Sequence, residues 1–193
     1  NQFAILIFLL FFADFGAPIA ALLKELNQIK PVFVELGLQT SNETSAVFIR
    51  RGYTNEVFEI AVSLLNGLSI IAHIIIGLPY EAPTDILNTI KYINGFPIHG
   101  VKLQLLHILK NTDLYTYYLQ SPFHILSLEE YGDLLIMCIN NLRPDIVIHR
   151  LTGDGPKKLL VEPAFSSNKK LVLNYINNRL RNENVIQGSL YNQ

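Results

Sequence analysis

The segment Ser69–Glu81, SIIAHIIIGLPYE, constrains this chain more than any other stretch. It is an unbroken apolar run that stops at Gly77, turns through Pro79 and closes on a carboxylate, Glu81. An Ile-rich run bounded by turn residues reads as a strand buried on both faces, which is the habit of parallel sheets. Such sheets bind ligands at the carboxyl ends of their strands. Gly77 to Glu81 is therefore where a ligand is expected.

The rest of the chain repeats that strand-and-helix alternation. Ala17–Ile29 has helical spacing with Pro18 in its first turn. Pro31–Leu38 reads as a strand, Asn42 caps a helix running to Arg51, and Thr54 caps a second reaching Asn66 before Gly67. After the Ile70–Ile76 strand come a helix from Thr84 to Asn94, a strand Gly100–His107 and a helix Thr112–Gln120. Ser127 and Glu130 form a capping box opening a helix to Asn141. Asp145–Arg150 is the next strand, and an amphipathic helix near Asn168–Leu180 ends the pattern. Strands alternating with helices imply right-handed crossovers and a parallel sheet, either part of a β/α barrel or an open doubly wound sheet.

Composition narrows the function classes. With 193 residues, half of them hydrophobic and 16% charged, the chain holds one packed domain. Fifteen basic against 16 acidic residues leave no polyelectrolyte character, so nucleic-acid contact must come from local patches. The single cysteine, Cys138, excludes an internal disulfide framework and any site built from several thiolates of this chain. It sits mid-helix between Met137 and Ile139 and reads as a buried small hydrophobe. Phe3–Phe12 is ten apolar residues before Asp14, too short to span a bilayer and without a signal-peptide flank. It reads as an interior strand of a longer protein, and nothing points to secretion.

Five blocks carry a family resemblance: VELGLQT (Val34–Thr40), Arg51-Gly52, HIIIGLPYE (His73–Glu81), LLHILKNTDL (Leu105–Leu114) and HRLTGDGPKKLL (His149–Leu160). In this order, over roughly Ala17 to Gly188, they resemble radical S-adenosylmethionine (SAM) proteins. The branch is the one related to elongator-type tRNA-modifying enzymes. The resemblance implies an α/β fold, a partial (β/α)6 barrel with outer helices, truncated on its N-terminal side. Residues 1–193 would form one domain, about 1–150 the barrel and 151–193 a C-terminal loop and helix extension. It also implies a [4Fe–4S] cluster that cleaves SAM to a 5′-deoxyadenosyl radical for hydrogen abstraction. An RNA substrate, a reductase as electron donor and a cytoplasmic location without a membrane follow from the same resemblance.

The resemblance assigns SAM contacts residue by residue. Gln39 matches a glutamine that hydrogen-bonds SAM, and Arg51 an arginine that meets its carboxylate; as a residue, Arg51 is equally a cation closing a helix. His73 matches a position near the ribose, Gly77 and Pro79 shape the adenine turn, and Leu106 offers backbone to the adenine edge. Tyr80 stands where the family usually has glycine, and Glu81 braces the loop. Glu35 is a carboxylate inside a buried strand and requires a partner. Lys102 and Gln104 share one strand face with the same lumen, and Arg150 and Asp154 fall on the substrate side.

The pattern breaks in two places. The CxxxCxxC loop that holds the cluster is absent, and Asn27–Pro31 leaves no room for a third strand and helix. The expectation is part of a radical SAM enzyme that is inactive alone, with a non-catalytic remnant or binding module as the alternative.

Overall fold

In the computed structural model, residues 5–7, 16–153 and 155–191 are described; the side chains of 5–7 are not. The chain runs β1 (Ile5–Ile7), α1 (Ala17–Ile29), β2 (Val32–Gln39), α2 (Glu43–Phe48), α3 (Asn55–Leu64) and β3 (Ser69–Ile76). It continues with α4 (Pro83–Asn94), β4 (Gly100–Leu105), β5 (Ile108–Leu109), α5 (Asp113–Gln120) and α6 (Leu128–Asn141). β6 (Val147–Arg150), β7 (Leu160–Glu162), a 3-10 turn (Ala164–Ser167) and α7 (Lys169–Asn182) complete it.

β1, β2, β3, β4 and β6 lie in that order in one sheet, every neighbouring pair parallel. This is the expected α/β arrangement, a section of a β/α barrel with its helices outside. Most of the Phe3–Phe12 run lies outside the described residues; only Ile5–Ile7 is placed, as β1. β1 pairs directly with β2, Ile5 opposite Val32. The strand and helix expected to be missing before Pro31 therefore leave no vacant position between these two strands.

Side chains alternate across a strand, and the two faces differ sharply. Val34, Leu36, Leu38, Ile70, Ala72, Ile74, Ile76, Val101, Leu103 and Leu105 point to the helices. There they pack on Phe58, Ala61, Ile86, Ile90, Tyr131, Leu135 and Cys138 in a single core. Glu35, Gly37, Gln39, His73, Ile75, Lys102 and Gln104 alternate with them and face the other side, the lumen of the barrel section. β3 is buried along both faces, as its composition implied.

Element boundaries move by one to three residues from the sequence reading. The helix expected to reach Arg51 stops at Phe48, because Arg50 takes φ +57° and Gly52 φ +87°. β4 ends at Leu105, before Leu106 and His107 turn away. Ser127 and Glu130 do close the expected capping box on α6, and Asn42 accepts from Thr44 and Ser45 at the start of α2. The antiparallel pair β5–β7 has no sequence signature: two and three residues meet across fifty intervening ones. That pair stitches the chain after β6 back onto the barrel section.

Candidate functional site

A cleft of about 650 Å³ opens at the carboxyl ends of β2 and β3. That is within the ~300–1,000 Å³ typical of small-molecule pockets. Gly37, Gln39 and Ile75 form its floor, Leu78 and Leu106 one wall, and Phe48, Arg50, Arg51 and Tyr53 the other; Asp113 and Tyr117 of α5 close the mouth. Gly37 leaves the floor open to the Gln39 side chain. A Cβ on it would lie 2.3 Å from the Gln39 amide and 3.4 Å from the Tyr53 hydroxyl. Gln39 itself takes φ +60°, and its amide nitrogen donates to the carbonyls of Gly37 and Leu38, 3.1 Å each.

Two adjacent arginines do different things in this cleft. The Arg51 side chain is 1% exposed. Its Nε donates to the Tyr53 carbonyl (2.7 Å), and Nη1 to the carbonyls of Leu38 (3.1 Å) and Thr40 (2.9 Å) and to Asn55 Oδ1 (2.9 Å). Nη2 reaches Glu43 Oε2 at 3.1 Å. Arg51 thus fastens the end of β2 to α2 and α3 and stacks on the Tyr53 ring, 4.9 Å from its centroid. At the position expected to meet SAM's carboxylate, the Nε and Nη1 donors of Arg51 are thus spent on the protein. Arg50 is the guanidinium that opens on solvent, 78% exposed and ion-paired with Asp113. Nothing in the motif singled it out, although it adjoins Arg51.

The loops at the strand ends are tied together. Thr40 Oγ1 donates to Glu81 Oε1 (2.6 Å), the Ser41 backbone N–H to Thr89 Oγ1 (2.9 Å), and Asn42 Nδ2 to Asp85 Oδ1 (3.1 Å). Glu81 is thereby the brace expected of it, and burial pushes its carboxyl pKa up. Tyr80 takes φ +67°, a conformation glycine adopts without strain. Its hydroxyl meets that of Tyr117 at 2.6 Å, and both rings stand edge-on to Phe48. Gly77 also needs to be glycine, at φ +88° and with Leu126 Cδ1 2.8 Å from a Cβ position. It borders a smaller cavity of about 320 Å³ with Tyr80, His124 and Leu126. Leu126 packs over Gly77, at the turn the sequence assigns to the adenine side. Pro79 is buried between the two cavities.

Beneath the cleft floor lies a buried polar network. Glu35 Oε2 meets His73 Nε2 at 2.7 Å, and Glu35 Oε1 accepts from the Lys102 ammonium. The Gln104 amide nitrogen meets His73 Nδ1 at 3.2 Å. Glu35, His73 and Lys102 are 1%, 8% and 7% exposed. An amide N–H donated to Nδ1 fixes the ring as the neutral Nε2–H tautomer, which then donates to Glu35. Burial, more than any charge, holds His73 below its ordinary pKa, with Glu35 opposing and Lys102 and Arg150 assisting. The partner that Glu35 required is therefore present twice over.

The expected site residues thus fall into separate groups. Gln39, Arg51 and Leu106 share the large cleft, Gly77 borders the small one, and Glu35, His73, Lys102 and Gln104 form the network. Arg150 stands beside Lys102 in the register, and Asp154 lies outside the described residues. Cys138 is fully buried in α6, its thiol pKa pushed up to about 12. No three His, Cys, Asp or Glu are placed to hold a metal ion among the described residues. No described helix is long and apolar enough to cross a membrane.

Comparison with known proteins shows what this chain is similar to. Residues 98–182 match the family described as Radical_SAM C-terminal domain. YtqA of Bacillus subtilis, an uncharacterized protein, is 36% identical over 171 residues, covering 88% of this chain and 53% of its own length. Protein YhcC of Escherichia coli K12 is 28% identical over 160 residues, with 82% and 52% covered. The chain spans about half the length of the curated relatives it matches. The solved structure of Elp3 from the archaeon Methanocaldococcus infernus superposes with a TM-score of 0.67 at 22% identity. That match covers 85% of this chain and 40% of the archaeal one.

Proposed function

For a chain whose residues 98–182 match the Radical_SAM C-terminal domain, we propose membership of the radical SAM superfamily and a function centred on the large cleft. The chain is the SAM-binding and substrate-facing part of a radical SAM enzyme. The carrying observation is a cleft of about 650 Å³ at the carboxyl ends of the strands, floored by Gly37 and Gln39. Bound there, SAM supplies the deoxyadenosyl group used for hydrogen abstraction. Gln39 presents its carboxamide oxygen to the ligand, the backbone at Leu106 borders the adenine, and Arg50 takes the methionine carboxylate that Arg51 has no donor on Nε or Nη1 to receive. Asp113, already beside Arg50, suits the ammonium of the same amino-acid moiety. RNA as the modified substrate, a reductase as electron source and a cytoplasmic setting rest on the resemblance to elongator-type tRNA-modifying enzymes.

The [4Fe–4S] cluster does not fit the residues of this chain. A cluster of this kind is held by several thiolates, and the one thiol is buried in α6 with its proton held tightly. The same thiol favours a second reading, in which the barrel section binds ligand or partner without catalysis.

Titration calorimetry with SAM tests the first reading. Saturable binding is expected, weakened about tenfold by Gln39→Ala through loss of a hydrogen bond made in a dry site. Absence of any SAM-dependent heat overturns it. Anaerobic reconstitution of the chain with iron and sulfide is expected to give no cluster absorption band. A stable [4Fe–4S] spectrum would contradict the account of Cys138.

A further inference from the structure

The lumen face carries a positive charge that the SAM cleft does not use. Between β4 and β6 the register slips: Val101 pairs with Ile148, but Lys102 pairs with Arg150. His149 is the extra residue of a bulge, and bulges re-aim side chains. The His149 ring lies over Gly100, 2.5 Å from where a Cβ would stand, on the face of Lys102. Arg150 is close enough to act electrostatically on His73, and Lys102 and Glu35 act likewise on His149.

Among the described residues the charges on this face do not cancel. Glu35 is the one carboxylate in the network, and it is held by Lys102 and by a neutral His73. The Arg150 side chain, half-buried, makes no hydrogen bond or ion pair among the described residues. A guanidinium drawn partly out of water with no acceptor is costly to keep unless an anion meets it, and its planar fork suits an oxyanion.

We propose that Arg150, flanked by Lys102 and His149, is an oxyanion subsite on the lumen side that takes a carboxylate or phosphate group of the substrate. It rests on the reading of the lumen as the substrate side and adds the chemical class that side receives. The subsite lies across His73 from the cleft floor, so an anion there places the rest of its molecule against the SAM cleft.

The test titrates the chain with inorganic phosphate and, separately, with acetate at constant ionic strength, reading the His73 and His149 ring resonances by NMR. Saturable shifts at both rings are expected, with both titrations moving to higher pH because a nearby anion favours imidazolium. Arg150→Gln is expected to weaken binding about tenfold or more, the worth of a charge-assisted hydrogen bond. Arg150→Lys, which keeps the charge without the fork, falls between; Lys91→Gln on the outer face of α4 changes nothing. Tighter binding of phosphate identifies a phosphoryl group as the source, and tighter binding of acetate a carboxylate. Shifts that never saturate with either anion, or that persist undiminished in Arg150→Gln, overturn the proposal. Loss of the anion response with SAM binding intact removes the subsite alone. Loss of SAM binding with an Arg150-dependent anion response intact removes the cleft reading instead.

Discussion

The two faces of the central sheet are made from the same three strands and obey opposite rules. Toward the helices, β2, β3 and β4 present Val, Leu, Ile and Ala in an apolar layer that other apolar residues of similar volume would satisfy. Toward the lumen they present Glu35, His73, Lys102 and Gln104, each buried or half-buried and each engaged by another. The first face tolerates exchange because dispersion and hydrophobic burial are non-directional. The second does not, since removing one member strands its partner out of water. A face of the second kind holds groups in place for a ligand, whereas the first only holds the sheet.

Breaking the lumen network gives the largest expected effect. Glu35→Ala leaves the Lys102 ammonium buried without its carboxylate and is expected to cost about 3–5 kcal/mol in urea unfolding. A loss under 1 kcal/mol would mean that the network is not desolvated as described. On the helix face, Ile74→Ala opens a cavity worth about 2–5 kcal/mol. Ile75→Ala, one residue on and half-exposed at the cleft floor, is expected to cost clearly less while altering SAM affinity. Equal losses at the two positions would erase the distinction between the faces. Gly77→Ala combines a left-handed backbone with contact against Leu126 and is expected to cost about 1–3 kcal/mol.

A smaller effect has a definite sign. The His73 pKa is lower folded than unfolded, chiefly through burial. Its contribution is complete above the unfolded imidazole value and is lost as pH falls through the depressed folded value. Unfolding free energies measured from pH 8 down to pH 5 should therefore fall, and His73→Asn should flatten that decline. Glu81 runs the other way: its raised pKa favours the fold below the ordinary carboxylate range, and the benefit fades as pH rises through the folded value. Smallest of all, Arg50→Gln breaks an exposed ion pair with Asp113 and should change stability by under about 0.5 kcal/mol. Its effect is expected in SAM affinity, which separates the open arginine from its buried neighbour.

Much of the fold was legible because it rests on short-range chemistry. The Ile-rich run, the caps at Asn42 and Ser127 and the stops at Gly67 and Gly95 locate elements without knowing what packs on them. The site was legible only in part. Glu35 announced a partner by being charged within a buried strand, and Lys102 and Gln104 shared a face by counting in twos. Arg50 and Arg51 could not be told apart in this way, since helical spacing carried α2 past Phe48. Four acceptors from β2, α2 and α3, with the Tyr53 carbonyl, draw Arg51 inward and leave Arg50 at φ +57° facing the cleft. Asp113 and Tyr117 gave no signal, because their place at the mouth depends on where α5 docks.

The sequence by itself determined the parallel β/α order, the buried β3 run and the absence of thiolates for a cluster. Periodicity, turn chemistry and residue counts are properties of the chain before it folds. Only the tertiary structure decided which arginine faces the cleft, that Leu126 packs over Gly77, and that a one-residue bulge in β6 sets Arg150 beside Lys102. Each of those depends on a contact between residues distant in the chain, where a register shift of a single position selects the face on which a side chain emerges.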